Sequence, residues 1–230
     1  MKRRFALVAL AMPVAAAAQH QVGHLPGDSP YQDVPTDTRI GAFTGWYAAG
    51  KDRAGVLPKS GPIYGVTWDV HIGGPADLAF RVATVPTKRN VLDPIKPLAD
   101  RVTATRNLRL GMADAGILFN LTGNKSWHGI LPYAHGNVGI ITDFSGQDAG
   151  GYVHGTTFAI GYGLGARMVR PGGRFAIRAD VGSYFYSITY PPSYYTLASD
   201  STSVLPATAA RSGWHNNWAL TLGVTWAPFR

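Results

Sequence analysis

Cysteine is absent from all 230 residues, and so is glutamate: the 13 acidic residues are all aspartate. Without cysteine there is no disulfide framework and no attachment point for a lipoprotein anchor. Without glutamate there are no paired glutamates for acid–base chemistry. Only 15% of residues are charged, and the lysines beyond position 2 (Lys51, Lys59, Lys88, Lys96 and Lys125) all lie in stretches rich in glycine, proline or aspartate. Strands of a water-soluble barrel carry Lys and Glu on their wet face; these do not. Beyond the first 18 positions no apolar run reaches the roughly 20 residues of a membrane-spanning helix, which excludes a helical membrane protein.

What is present begins with MKRRFALVALAMPVAAAAQ. Three basic residues, an apolar run from Phe5 to Val14 and the small-residue series Ala15–Ala18 form the three-part pattern of a secretory signal peptide. The expected organisation is a signal peptide at 1–18, a periplasmic tail at 19–38 and a barrel from 39 to 230. The formal charge of +8 includes three charges at positions 2–4. Export and the scatter of the remaining arginines argue against nucleic acid as a partner.

The stretch NNWALTLGVTW shows the organising pattern. Trp218, Leu220, Leu222, Val224 and Trp226 alternate with Ala219, Thr221, Gly223 and Thr225, and period-two alternation means a strand with two unlike faces. Similar segments are expected near Arg39–Ala48, Ile63–Ile72, Asp77–Val85, Leu108–Thr122, Leu131–Asp143, Thr156–Met168, Arg174–Ser187 and Trp218–Pro228. Short glycine-rich connectors (73–77, 122–129, 170–174) alternate strictly with longer ones (49–61, 86–107, 144–155, 188–216). Even strand number, short turns at one end and long loops at the other predict an all-β fold: a closed antiparallel eight-stranded up-and-down transmembrane β-barrel.

The polar face of these strands is small and sparsely charged. Arg81, Arg167 and Arg178 share it with Asp69, Asp114 and Asp180, and His71 falls in the same phase as Asp69. An eight-stranded barrel has an interior that side chains just fill. A lone arginine facing lipid at mid-depth costs about 2–4 kcal/mol. The expectation is therefore an inward polar network of Asp69, His71, Arg81, Asp114, Arg167, Arg178 and Asp180, with the bulky apolar set facing outward. A change of phase near Asp114–Gly116 predicts a β-bulge. Trp46, Trp68, Tyr133, Phe175, Trp218 and Trp226 are expected to form aromatic girdles.

On these features the chain resembles the small outer-membrane β-barrel proteins of the OmpA/OmpX kind over roughly 39–230. GILFNLTGNKSWHGILPY and RADVGSYFYSITYP are similar to segments of uncharacterised barrels of that group. The resemblance implies an outer-membrane location in a Gram-negative-type bacterium, with membrane lipid and lipopolysaccharide as surroundings. A terminal strand ending near Phe229 resembles the signal read by the barrel-assembly machinery, although Phe229 is out of phase with Trp226.

Catalytic patterns are weak. Asp69 and His71 share a face beside a short turn, the wrong end for an outer-rim protease. Ser126 and His128 in SWH are similar to the His-x-Ser pair of lipid A deacylase barrels, but reversed and in a turn. GYGLG (161–165) reads as small-residue filling of a lumen, and Asn120 in NLT as an incidental glycosylation sequon. No metal-ligand spacing, phosphate loop or nucleophile elbow occurs, so no metal or other cofactor is expected. The long connectors offer Lys88, Arg89, Lys96 and Arg101, and Tyr190, Tyr194 and Tyr195 beside two prolines, as a possible binding surface for an unidentified ligand. The leading expectation is a non-catalytic barrel with an envelope-structural or surface-binding role. Alternatives are a narrow channel for small or apolar solutes, a lipid-modifying or proteolytic barrel enzyme, and a secreted soluble barrel with an apolar ligand inside.

Overall fold

The computed structural model describes residues 29–170 and 172–228. The expected signal peptide, the 19–28 part of the tail and Phe229 lie outside the described residues. In chain order the strands are β1 (Tyr31–Asp33), β2 (Arg39–Ala48), β3 (Gly61–Gly73), β4 (Ala76–Leu92), β5 (Val102–Asn120), β6 (Lys125–Trp127), β7 (Ile130–Thr142), β8 (Thr156–Val169), β9 (Phe175–Thr189) and β10 (Ser212–Trp226). Eight of them close into one antiparallel barrel in the order β7-β5-β4-β3-β2-β10-β9-β8, with β7 pairing β8. The last strand zips onto the first barrel strand from Trp218↔Ala48 to Trp226↔Ile40. No edge is left along that seam, so its backbone groups are satisfied without water.

The alternation decides the facing. Trp68, Leu164 and Leu222 are 49%, 58% and 58% exposed, whereas Arg178 and Asp180 are buried at 4% and 7%. Bulky side chains therefore belt the outside, and small and ionic ones fill the axis. The GYGLG motif shows the fit required. Gly161, Gly163 and Gly165 lie directly opposite Asn137, His135 and Tyr133 of β7. A Cβ at Gly165 would sit 2.4 Å from the Tyr133 ring, and one at Gly163 would sit 2.5 Å from His135 Nε2. The glycines are the floor across which three large inward side chains lie.

Three expectations are corrected. β5 runs through Asp114–Gly116 without a bulge, in unbroken register with both neighbours; the β4–β5 irregularity lies at Val91/Leu92 instead. The sequence pattern changes phase there because Leu110 and Met112 point inward, while Gly111, Ala113 and Ala115 face out. The 86–107 connector is mostly strand: β4 and β5 rise past their neighbours and leave only 93–101 as loop. Its residues turn polar because they stand above the apolar belt, and polarity read as loop. Tyr133 belongs to no girdle; it is wholly buried in the lumen.

The two halves of the interior differ. Towards the long connectors (the loop end) lies an apolar, tyrosine-rich core that includes Tyr47, Ile63, Leu110, Met112 and Tyr186, joined by Val56, Leu57, Tyr152, Tyr190, Tyr194 and Leu205 from the loops themselves. Towards the short connectors (the turn end) the interior is ionic. There β1 pairs with β6 from Tyr31↔Trp127 to Asp33↔Lys125, and the chain continues through Val34–Asp37 across the barrel mouth, beside His71, Asp77 and Arg167.

Candidate functional site

The ionic half of the lumen is one connected cluster. Asp69 of β3 accepts hydrogen bonds from Arg167 Nη2 at 3.0 Å and from Arg178 Nη1 at 2.9 Å, tying β3 to β8 and β9 across the axis. Arg178 Nε also donates to Asp180 at 2.7 Å, and Tyr133 donates its hydroxyl to the same carboxylate. Arg167 reaches on to Asp77 at 3.1 Å, and Asp77 meets His71 Nδ1 at 3.0 Å. The Arg167 and Arg178 guanidinium groups lie 5.3 and 5.1 Å from the Tyr133 ring centroid, one more favourable contact for buried cations. Arg81 and Asp114 pair separately at 2.9 Å, opposite each other in the β4–β5 register.

All seven residues of the expected network thus face the lumen, and the structure divides them into an axial cluster and the Arg81–Asp114 pair. Asp77 and Tyr133 join them unforeseen, His135 lies 3.9 Å from Asp180, and Arg39 lines the same mouth beside Asp77 and Arg167. Asp77 shares its phase with Ala79 and Arg81, but the GGPAD sequence presents it as a turn residue. Tyr133 shares its phase with Leu131 and His135, but its size favoured an outward assignment. Arg39 is the first residue of its strand and is 3% exposed.

At the loop end the connectors fold over the barrel as a cap. Arg89 is wholly buried; its Nη1 donates to Asp148 at 2.7 Å and its guanidinium lies 5.2 Å from the Tyr152 ring. Asp148 in turn accepts the Tyr152 amide at 2.9 Å. Tyr152 and Tyr194 stack at 6.4 Å, and Tyr190 donates its hydroxyl to Asp52 at 3.4 Å. Arg101 donates to the Ser203 and Thr202 carbonyls and, at 2.6 Å, to the Thr202 hydroxyl. Asp200 accepts the Leu98 amide at 2.8 Å, completing a latch between 93–101 and 190–211. The Thr202 hydroxyl, followed by the Leu98 amide, holds the Asp200 carboxyl down at about 2. Burial keeps the His154 imidazole below its ordinary value, with Asp143 opposing and Arg89 reinforcing the effect.

This arrangement corrects the expected loop surface. Arg89, Arg101, Tyr190 and Tyr194 are buried in the cap: the first three find polar partners on other loops, and the Tyr194 ring packs against Tyr152 and Tyr190; Lys88 and Lys96 are exposed and Tyr195 is half-buried. The tyrosines act as core, not as an open binding face. Ser126 is also buried, with its hydroxyl donating to the Gln32 carbonyl, and Trp127 separates it from His128 on the turn. Among the described residues no group of three or more His, Cys, Asp or Glu is placed to hold a metal ion.

No family model and no curated protein matches the sequence. Solved structures with a similar shape include the N-terminal β-barrel domain of Pseudomonas aeruginosa OprF, at 14% identity and a TM-score of 0.46 over 85% of this chain and 98% of that one. Another is the outer membrane protein Ail of Yersinia pestis in a phospholipid nanodisc, at 14% identity and 0.41 over 83% and 99%. A third is a major outer membrane protein of Thermus thermophilus, at 10% identity and 0.41 over 83% and 98%.

Proposed function

We propose that the protein is an outer-membrane β-barrel that seals and does not conduct, with a non-catalytic envelope-structural or surface-displaying role. One observation carries the reading: a closed sheet wears its large apolar side chains outside while its arginine–aspartate cluster and its tyrosines fill the inside. Only hydrocarbon makes that orientation favourable over the whole belt. On this reading residues 19–38 lie in the periplasm, the long loops face outward, and membrane lipid and lipopolysaccharide surround the belt. The lumen cluster is then a structural brace. Two pockets inside it hold about 20 and 10 Å³, room for roughly one water each.

The mature chain is expected in the detergent-soluble part of the outer membrane fraction, and planar bilayers carrying it should give a flat current trace. Stable unit conductance steps would replace the sealing role with that of a channel. Partition of the folded chain into buffer without detergent would replace the membrane reading altogether.

A further inference from the structure

On the outer wall near the loop end, an open groove of about 690 Å³ is lined by Trp46, Pro62 and Pro86 and by the cations Lys59, Lys88 and Arg109. The register explains why the cations meet. Pro86 lies opposite Arg109 and Lys88 opposite Asn107, so both basic side chains leave the outward face of the β4–β5 hairpin. Lys59 joins them because its amide donates to the Lys88 carbonyl at 2.8 Å, which fixes the end of the 49–60 loop against β4. All three cations are exposed, and none is ion-paired to a carboxylate among the described residues. Arg89, one residue away on the inward face, is neutralised by Asp148 at 2.7 Å. The chain thus pairs the cation that it buries and leaves three unpaired around one concavity.

The wall beneath is shaped to match. Below Arg109 the outward positions of β5 are Gly111, Ala113 and Ala115. They lie between Val82 and Phe80 of β4 and Ile140 and Val138 of β7, all outward-facing. Phe144 lays its ring over Gly111, so the trough opens at Ala113. A cationic cradle beside an exposed tryptophan, directly above a small-residue trough in the apolar belt, fits an amphiphile with an anionic head.

We propose that this groove binds the phosphorylated headgroup of a membrane lipid in the loop-side leaflet, with an acyl chain along Ala113 and Ala115. The proposal rests on the membrane reading above. Phosphate oxygens accept charge-assisted hydrogen bonds from Lys and Arg, and these strengthen where apolar walls exclude water. Tryptophan at that depth suits the boundary between headgroup and hydrocarbon.

The test uses the full chain in phosphatidylcholine nanodiscs doped with doubly phosphorylated lipid A, with co-purified lipid counted by native mass spectrometry. The wild type is expected to retain the lipid. The triple variant Lys59→Gln/Lys88→Gln/Arg109→Gln should lose about tenfold or more in retention, with circular dichroism unchanged. The control Lys51→Gln/Lys96→Gln, outside the groove, should retain it fully, whereas Ala113→Trp should displace the chain and lower retention without touching a charge. Equal retention by the triple variant and the wild type overturns the proposal while leaving the barrel in its bilayer. Equal retention of dephosphorylated lipid A overturns the headgroup assignment. Displacement by millimolar inorganic phosphate as effective as displacement by lipid A shows a free-anion site and overturns the lipid assignment. Partition of the chain into buffer refutes the membrane reading separately.

Discussion

Asp69 illustrates how much of the interior depends on single atoms. One carboxylate accepts from two arginines that come from different strands. Replacing it with alanine leaves both cations short of their shared partner in a buried setting, and breaking buried pairs of this kind typically costs about 3–5 kcal/mol. Urea unfolding of Asp69→Ala in micelles, followed by tryptophan fluorescence, is expected to show a loss in that range. A similar change at Asp33, whose partner Lys125 is 3.9 Å away and largely exposed, should be nearly silent. The Asp200 latch has a pH signature. Its carboxyl is held at about 2 against an ordinary value of 3.8, because Thr202 and Leu98 donate to the ionised form. A depressed acid stabilises the fold above its unfolded value, and that contribution is lost as pH falls from about 4 towards 2. Hydrogen exchange at the Leu98 amide should lose protection across that window in the wild type, and Asp200→Asn should abolish the dependence.

Strands were legible from alternation wherever large and small residues kept to opposite faces, as in β3, β8 and β10. They were misread where size stopped tracking face. In β5 the lumen changes from ionic to apolar part-way up, so Leu110 and Met112 point inward and the phase only seems to slip. In β4 the strand outlasts the belt, and Thr87–Asn90 look like a loop because their outward positions stand above the apolar zone while the inward ones are a buried threonine and the ion-paired Arg89. The same logic misassigned Tyr190 and Tyr194, whose partners come from loops distant in sequence and so leave no local trace. The outward faces make a firm prediction of their own. Leu164→Arg, mid-strand and 58% exposed, is expected to cost about 2–4 kcal/mol when the barrel is in lipid vesicles. Leu98→Arg, on a loop and 65% exposed, should cost almost nothing. Equal effects at the two positions would mean that no hydrocarbon surrounds β8.

Taken whole, the molecule is a cylinder stopped in three ways. The tail crosses one mouth, the Arg–Asp cluster spans the middle, and a loop cap with an apolar underside closes the other end. Removing any one stopper leaves two, which is why the flat bilayer current is expected to survive single substitutions such as Asp69→Ala. The sequence showed the middle stopper through charged residues on a small-residue face. It did not show the docking of the tail, because Tyr31–Asp33 pairs with three residues that lie in what reads as a turn.

Closure of the sheet, finally, is not uniform along the axis. β7 stops pairing at Gly111↔Thr142 while β5 continues upward to Val102, so above the belt the cylinder reopens into a two-stranded ribbon with a bare flank. Water satisfies the backbone of that flank at no cost. A bare flank is also a template for a foreign strand, and Arg106 and Arg109, both exposed there, supply the like-charge repulsion that keeps two such molecules from knitting together edge to edge.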